Sequence, residues 1–483
     1  MRVRRSKRDQ MLQEGVPPYP VRVPVTHSLS QVRAEWGHLE AGAESGAEVG
    51  VAGRVIFVRN TGKLCFATLQ SGEGTQLQLM ISAAVIGGDE LARWKSLVDL
   101  GDHVFARGQV ITSRRGELSV MAASWMMASK ALRPLPVFHK ELSEEQRVRR
   151  RYVDLIVRDE ARAMVRARAA MTRAIREVLH QRGYLEVETP TLQTVHGGAN
   201  ARPFTTHLNA FDLPMTLRIA LELHLKRAVV GGVDRVYELG RIFRNEGIDS
   251  SHSPEFTMLE AYEAYGDQET MADLTRDIIL AAADALGTRQ IAHHEGVIDL
   301  DAPWAWLSFY DGLSEAVGEK VTVMTSGDRL RALANDRGLC FDADLASQKV
   351  AMELFEALVE PGLIQPTFVC DYPAAAQPLA RPHRSLPGLI EAWDLIVGGT
   401  ERATAFSELI DPQIQRQRLV EQSAAAAGGD EEAMSVDEDF LQALEQGAPP
   451  MGGLGLGIDR LLMLLTGAGI RETILFPFVK PQV

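Results

Sequence analysis

Residues 235–262, RVYELGRIFRNEGIDSSHSPEFTMLEAY, place an arginine between two stretches that favour β-structure. Apolar and polar residues alternate up to Phe243, which predicts a strand, and Arg244 follows that strand directly. A polar loop then leads to a second apolar stretch that contains Phe256. An arginine at such a strand end can donate paired hydrogen bonds to a phosphate or a carboxylate. Taken alone, however, the stretch fits an ordinary β-hairpin with a solvated Arg-Asn-Glu turn better than a binding site.

A second arginine, Arg460, lies where the glycine-rich stretch GLGLG changes into the apolar helix IDRLLMLL. The glycines allow the backbone or a ligand to approach closely. The alternative is a glycine-rich turn in which Asp459 and Arg460 form a structural pair. The sequence contains no G-x-x-x-x-G-K-[ST] motif, and no Rossmann fingerprint follows a predicted strand. These two nucleotide-binding classes are therefore excluded.

The bulk composition indicates a soluble protein with more than one domain. The chain has 483 residues, of which 46% are hydrophobic and 24% charged, and no apolar run approaches the length of a membrane helix. The basic N-terminus lacks the apolar core of a signal peptide, so we expect a cytoplasmic protein without membrane contact. Three widely spaced cysteines argue against disulfides and zinc. The net charge of −13 argues against non-specific nucleic-acid binding by the whole surface but allows a local basic face.

Three regions are predicted along the chain. Residues 1–48 form a polar helical extension whose basic cluster is either solvated or contacts a phosphate backbone. Residues 49–136 contain five short strands with a helix before the fourth, which is typical of an OB-type barrel that binds single-stranded nucleic acid. A proline-rich linker ends this barrel. Residues 137–483 form the second, α+β domain, in which residues 267–360 are predicted to be mostly helical, with a possible small helical insertion at about 310–350.

Several stretches, in this order and spacing, resemble the bacterial class II lysyl-tRNA synthetases. They are GRVIFVRNTGKLCFATLQ, KALRPLP, RYVDLI, GYLEVETPTL, HGGANARPF, LELHLKR, GRIFRNEG, HSPEFTMLEAY, FSEL and GLGIDRLLM. The resemblance covers about residues 50–480 and includes the synthetase portion of actinobacterial lysyltransferase fusions. It implies a catalytic domain built on an antiparallel β-sheet with flanking helices, an OB-type anticodon-binding barrel, and a homodimer with Pro190 at its interface. The implied reaction is ATP-dependent activation of L-lysine to lysyl-adenylate, followed by transfer to tRNA(Lys).

The resemblance also implies a role for individual residues. Two arginines would be catalytic, since Arg244 would bridge the α-phosphate and the substrate carboxylate, and Arg460 would take the γ-phosphate. Forming an adenylate brings two anionic groups together, so the site needs cations and fixed geometry. The implied ATP-binding residues are Arg244, Glu246, His252, Phe256, Glu401 and Arg460. The implied lysine-binding residues are Gly197, Glu222, Arg244, Glu260, Tyr262, Thr404, Phe406 and Glu408.

Two further sites follow from the same resemblance. Asp394 and Glu401 correspond to the magnesium carboxylates, and oxygen ligands that bridge phosphates suit Mg²⁺. In the barrel, Phe66, Gln78 and Glu117 correspond to the residues that grip the central anticodon uridine.

Some positions depart from the family pattern. Leu221 and His224 replace a proline and a tyrosine, Ser251 and Ser253 replace an arginine and an asparagine, Asp394 replaces a glutamate, and Thr404 and Ile410 replace two asparagines in the lysine and ATP pocket. We therefore expect weaker lysine binding than in relatives that carry the asparagines. Two alternative functions stay open: a paralog that supplies lysine for a non-translational modification, and a weakly catalytic tRNA-binding or sensing protein. The barrel argues against the first, and the retained arginines argue against the second.

Overall fold

The structure is a computed structural model, and it describes residues 1–136, 142–249, 252–342, 345–427 and 434–481. The chain divides into two compact units, Met1–Ala163 and Met164–Val483, and each is described by itself. The domain boundary at 136/137 and the helical insertion stay predictions. The replacement at Ser251 lies outside the described residues. Within those residues, no helix is long and apolar enough to cross a bilayer.

Five strands of the first unit form a closed barrel. They are β1 (Glu44–Asn60), β2 (Leu64–Gln70), β3 (Gln76–Ser82), β4 (His103–Thr112) and β5 (Leu118–Ser129), hydrogen-bonded in the order β1-β2-β3-β5-β4. The helices are α1 (Arg2–Gln13), α2 (Leu29–Trp36), α3 (Ala83–Ile86), α4 (Gly88–Leu97), α5 (Glu144–Arg149) and α6 (Arg151–Val157). Burial alternates along β2, where Cys65, Ala67 and Leu69 are buried, because successive side chains of a strand point to opposite faces. The predicted N-terminal barrel is confirmed.

The basic N-terminal helix α1 is held by contacts within its own unit. Arg4 donates to the carbonyl oxygens of Ala131 (3.1 Å) and Leu100 (2.7 Å). Lys7 Nζ lies 2.7 Å from an Asp99 carboxylate oxygen, and Met11 is fully buried. For Arg4 and Lys7, the expectation of a solvated or phosphate-contacting cluster is therefore corrected, since both side chains hold the helix in place.

The second unit is built on one eight-stranded sheet. Its strands are β6 (Leu185–Glu186), β10 (Arg235–Phe243), β11 (Glu255–Ala264), β14 (Ala305–Ser308), β15 (Thr367–Cys370), β16 (Ala392–Ile396), β17 (Glu401–Ser407) and β18 (Met451–Gly457). Their order is β14-β15-β16-β17-β18-β11-β10-β6. The six central strands are antiparallel, and the outer pairs β14–β15 and β6–β10 are parallel. The predicted α+β fold with an antiparallel sheet is confirmed.

Smaller sheets and helices complete this unit. The remaining strands are β7 (Leu192–Gln193), β8 (Thr205–Leu208), β9 (Leu213–Leu217), β12 (Gln290–His293) and β13 (Gly296–Asp299). The helices are α7 (Asp159–Gln181, which begins in the first unit), α8 (Glu222–Val230), α9 (Gln268–Leu286), α10 (Phe309–Val317), α11 (Gly327–Asn335), α12 (Ser347–Leu358), a 3₁₀ turn (Glu360–Gly362), α13 (Pro412–Ala427), α14 (Glu438–Glu445), α15 (Ile458–Thr466) and α16 (Ile470–Thr473). The short strands β12–β14 lie in a region that the sequence predicts to be mostly helical.

The two faces of the large sheet differ in chemistry. Apolar residues of β11, β17 and β18 pack with α7, α9 and α15 into one core. Examples are Leu259, Ala405 and Leu454. The side chains between them point the other way, because strand residues alternate. These alternate residues include Glu260, Tyr262, Thr404, Phe406, Gly453 and Gly455, which form the floor of a cavity.

Candidate active site

Two cross-strand rows of the sheet form the cavity floor. In one row Thr404 on β17 lies opposite Gly455 on β18, which lies opposite Glu260 on β11. In the next row Phe406, Gly453 and Tyr262 are aligned in the same way. The middle strand therefore has no side chain at either row. This leaves open space above β18, flanked by two strands that carry functional groups.

A cavity of about 330 Å³ stands on this floor. It brings together most of the residues that the sequence assigns to ATP and lysine: Glu222, Arg244, Glu246, His252, Phe256, Glu260, Tyr262, Glu401, Thr404, Phe406, Glu408 and Arg460. Gly197 and Asp394 are the exceptions among the predicted catalytic-domain residues, since neither lines the described cavity wall. Their roles in binding stay predictions.

Arg244 lines the cavity and comes directly after β10. Its backbone N–H donates to the Pro254 carbonyl (3.0 Å), which closes the loop between β10 and β11. Its guanidinium stands over the Phe256 ring, with Cζ 5.4 Å from the ring centroid, as in a cation–π contact. Burial lowers the pKa of Arg244, against the attraction of Glu246 and Glu401, but an arginine remains charged. The site thus holds a positioned cation in the cavity.

The second arginine lies in the first turn of α15. Arg460 donates to the Glu401 carbonyl oxygen (3.3 Å), and the same nitrogen is 3.8 Å from a Glu401 carboxylate oxygen. The neighbouring Asp459 does not pair with it. Asp459 instead accepts a hydrogen bond from the Thr257 N–H (2.7 Å) and pairs with Arg168. The structural Asp459–Arg460 pair is therefore not formed, and the guanidinium of Arg460 faces the cavity.

His252 and Glu246 border the open part of the cavity. The His252 ring Nδ1 lies 2.8 Å from an Asp249 carboxylate oxygen, and the His252 N–H donates to the other oxygen at 2.8 Å. These two contacts orient the His252 ring relative to Asp249 at the border of the cavity.

Three buried carboxylates lie at the other end of the cavity. Glu222, Glu260 and Glu408 are 5%, 4% and 1% exposed. Burial, followed by repulsion from Glu222, raises the pKa of Glu260 to about 7. Burial raises the pKa of Glu408 to about 8, against the attraction of Lys226. Such a cluster is costly in an empty cavity and favours a ligand that brings positive charge.

The packing around Glu408 depends on a glycine. A Cβ atom on Gly453 would lie 1.9 Å from Glu408 Oε1 and 2.5 Å from Tyr262 Cε1, closer than any real Cβ contact. Glu408 Oε1 is buried and has no hydrogen-bond partner among the described residues. The glycine thus lets a carboxylate oxygen stand beside the cavity without a protein donor.

The predicted magnesium residues lie on neighbouring strands. Asp394 on β16 is opposite Thr404, and Glu401 begins β17 and lines the cavity. Burial, then repulsion from Glu401, raises the pKa of Asp394 to about 7. No cluster of three or more metal-ligating side chains is found in the described part of the chain. Two carboxylates fit a magnesium ion that takes its other ligands from water and phosphate.

Two glycines and Leu223 shape the loop at Gly197. A Cβ on Gly197 would lie 2.8 Å from Leu223 Cδ1, and one on Gly198 would lie 2.9 Å from Ala220 Cβ. Gly198 also has a φ of +87°, which a residue with a Cβ adopts at a cost. It is Gly198, rather than Gly197, that lines the cavity.

The two replaced asparagines have different surroundings. Thr404 lines the cavity, and its hydroxyl lies 3.5 Å from the Trp393 carbonyl oxygen. Ile410 packs in an apolar cluster that also contains Leu221 and Tyr262, and it does not line the described cavity wall. Two departures, Leu221 and Ile410, thus share one apolar cluster. The expectation of an apolar Ile410 surface inside the pocket is corrected by this packing.

The predicted anticodon residues lie on the barrel. Phe66 and Gln78 are both half-buried, on the outward face of β2 and β3. Arg59 Cζ stands 4.9 Å from the Phe66 ring centroid. Gln78 Oε1 accepts a hydrogen bond from Ser119 (3.3 Å), and Glu117 pairs with Arg33 at 3.1 Å. Phe66 is therefore outside the barrel core, where a base can reach it.

The sequence reasoning missed a supporting network and a buried lysine. Arg218 donates to Glu238 (2.6 Å) and to the Thr189 carbonyl (3.0 Å), and so ties the loop before β7 to strand β10. Lys226 pairs with both Glu222 and Glu408. The signal for Lys226 was the E-x-x-x-K spacing in ELHLK, which places both side chains on one helix face.

Comparisons with known proteins agree with this geometry. Residues 143–480 match the family described as tRNA synthetases class II (D, K and N), and residues 49–128 match the OB-fold nucleic acid binding domain. A lysine–tRNA ligase of Kineococcus radiotolerans is 57% identical over 485 residues, which cover 100% of this chain and 97% of that protein. One of Mycolicibacterium gilvum is 58% identical over 483 residues, covering 99% and 96%.

A relative with a different name is also similar. The lysylphosphatidylglycerol biosynthesis bifunctional protein LysX of Mycolicibacterium vanbaalenii is 47% identical over 489 residues. The match covers 100% of this chain and 44% of that protein. The similarity to LysX is thus confined to less than half of its length.

Proposed function

Because the chain belongs to the class II tRNA synthetases (D, K and N), we propose that it activates L-lysine with ATP and transfers it to tRNA(Lys). The observation that carries the proposal is the polarity of the cavity. Its wall holds three buried carboxylates together with Arg244 and Arg460. Lysine has an ammonium group at each end of its carbon chain and a carboxylate that can reach an arginine. ATP, the second substrate, contributes the phosphate groups, which the arginines can also contact.

In the first step, a carboxylate oxygen of lysine attacks the α-phosphorus of ATP. The bond between that phosphorus and the β-bridging oxygen breaks, pyrophosphate leaves, and lysyl-adenylate forms. Arg244 would contact both anions and hold them in line, and Arg460 would contact the departing phosphates. Positioning and charge stabilisation supply most of the acceleration in such reactions.

Substrate selection follows from the carboxylates and the aromatic rings beside them. Glu222 and Glu408 would accept hydrogen bonds from the side-chain ammonium of lysine, with Tyr262 and Phe406 enclosing its carbon chain. Glu260 would accept from the α-ammonium, beside the loop at Gly197. Hydrogen bonds to charged groups contribute about 1.5–3 kcal/mol each, so a neutral side chain would bind far more weakly.

Nucleotide binding uses the remaining cavity residues. Phe256 would stack on the purine, and Glu246 and His252 would contact the adenine and phosphate end. Asp394 and Glu401 would hold Mg²⁺, which, when bound, neutralises phosphate charge. Their carboxylate oxygens suit this ion.

The second step uses the tRNA. A hydroxyl of its terminal ribose attacks the lysyl carbonyl carbon, AMP leaves, and an ester forms. The barrel would select tRNA(Lys) by stacking an anticodon base on Phe66 and contacting it with Gln78 and Glu117. Following the family, the enzyme acts in the cytoplasm as a homodimer with Pro190 at its interface.

Lysine-dependent exchange between ATP and pyrophosphate tests the first step without tRNA. Arg244→Ala should lower the exchange rate by ~10²–10³, as removal of a donor at a developing phosphoryl charge does. Arg241→Ala is the matched control, because Arg241 is exposed on the same strand and lies 3.6 Å from Glu255. It should leave exchange within about threefold. Near-normal exchange by Arg244→Ala would overturn the assignment of the catalytic arginine.

A further inference from the structure

Lys226 is the charged side chain closest to the carboxylates at the lysine end. It lies on α8, one turn after Glu222, and is 1% exposed. Its Nζ pairs with Glu222 Oε1 and with Glu408 Oε2. One buried ammonium thus joins two carboxylates that come from different elements.

The ammonium stands behind the carboxylates and not in the cavity. Glu222 and Glu408 line the described cavity wall, whereas Lys226 does not. Nζ also lies 6.0 Å from the centroid of the Tyr262 ring, which belongs to the wall. Glu408 Oε2 forms an ion pair with Lys226, whereas Oε1 lies beside Gly453, and neither oxygen has a hydrogen-bond partner among the described residues. Lys226 thus contacts the two carboxylates on the side away from the cavity, and the side that faces the cavity can contact a ligand.

The charges of the site balance when lysine is present. When all three are ionised, the carboxylates at the lysine end contribute −3, and Lys226 and Arg244 contribute +2, so this group of five side chains carries −1 before lysine binds. Free lysine carries two ammonium groups and one carboxylate, a net charge of +1. Without Lys226 the same group would carry −2, and one carboxylate would take up a proton, since two adjacent buried carboxylates do not both ionise readily.

We propose that Lys226 is a positioning residue that neutralises the negative charge of one carboxylate of the pair Glu222 and Glu408. The pair then presents one unbalanced negative charge to the substrate ammonium. The inference rests on the proposed function and deepens it. Lys226 thereby determines both the placement of Glu408 and the pH at which the pair binds lysine. It contacts neither substrate.

The groups around Lys226 support this role. Glu222 on its own helix and Glu408 after β17 pair with it, and the Tyr262 ring on β11 lies near it. Glu260 and Arg244 interact with these groups from further away. Burial would lower the pKa of Lys226, but attraction by Glu222 and Glu408 outweighs burial and raises it. Lys226 therefore stays charged while the carboxylates in front of it titrate.

The test is lysine-dependent pyrophosphate exchange between pH 6.5 and 9 for wild type, Lys226→Met, and Lys226→Met with Glu222→Gln. Methionine keeps the length and removes the charge. Lys226→Met should raise the lysine KM at least tenfold at pH 7 and leave the ATP KM within twofold. The lysine KM of Lys226→Met should fall as the pH rises. The midpoint of this fall and the plateau after it should lie about one pH unit higher than in wild type. A packing defect alone would lower kcat at every pH and leave that midpoint in place.

The double variant removes one positive and one negative charge together. It should bind lysine more tightly than Lys226→Met, with its pH midpoint returned toward wild type. Three results would each overturn the role of Lys226. The lysine KM of Lys226→Met could be unchanged, it could rise equally at every pH, or the double variant could bind lysine more weakly than Lys226→Met. If Lys226→Met does not fold, the charge-balanced double variant should, and failure of both would assign Lys226 to packing. Absence of lysine-dependent exchange in wild type would instead overturn the proposed function.

Discussion

Gly453→Ala should damage the lysine pocket with little effect on ATP. The added Cβ would lie 1.9 Å from Glu408 Oε1 and 2.5 Å from Tyr262 Cε1, so the carboxylate must move by more than 1 Å to reach a contact of about 3 Å. Moving it loses one hydrogen bond to a charged group, about 1.5–3 kcal/mol, or one to two decades in the lysine KM. Crowding of a packed site adds about 1–3 kcal/mol of destabilisation.

Lysine-dependent pyrophosphate exchange at varied lysine and fixed ATP measures this effect. Gly362→Ala is the control, because Gly362 does not line the described cavity wall and nothing among the described residues lies within 4 Å of a Cβ built on it. Its lysine KM should stay within about threefold of wild type. The reasoning is refuted if Gly453→Ala keeps the wild-type lysine KM, or if both variants raise it equally.

Three further predictions concern the barrel, the departures and pH. Phe66→Ala should weaken tRNA charging by roughly 1–3 kcal/mol, the contribution of a stacked base, and leave exchange unchanged; a lower melting temperature with slower exchange would contradict it. Thr404→Asn should lower the lysine KM by about one to two decades if the lost amide matters, and an unchanged or higher KM would show a pocket rebuilt around threonine. Burial raises the pKa of Glu260 to about 7 and of Glu408 to about 8, from 4.5. Because both values are raised, the stability that these groups contribute is present below pH 4.5 and lost as the pH rises through 7–8. Saturating lysine should therefore raise the melting temperature more at pH 8.5 than at pH 6, and an equal rise would contradict the pKa assignments.

The sequence predicts local elements well where the apolar residues recur with a clear period. Alternation identifies β10 and β11, and the change from glycine-rich strand to apolar helix identifies β18 and α15. The sequence does not predict the strands β12–β14, because each has only four residues. Four residues are too few for a period of two to be recognised among helical neighbours.

The sequence predicts which residues belong to the site more completely than it predicts how they are arranged in space. The register that aligns Gly453 between Phe406 and Tyr262 arises from pairing of strands distant in sequence, and no local pattern specifies it. Likewise, the E-x-x-x-K spacing of Glu222 and Lys226 predicts proximity on a helix. It cannot show that Glu408, far along the chain, completes the buried group.

Charging of tRNA(Lys) by the wild-type protein tests the central claim most directly. Each proteinogenic amino acid is offered separately with ATP and Mg²⁺, and the aminoacyl ester on the RNA is measured. The account predicts that lysine is esterified, that omission of ATP abolishes the ester, and that uncharged side chains of similar length give none. An ester formed equally well with a neutral amino acid, or no lysyl ester from a folded protein, would contradict it.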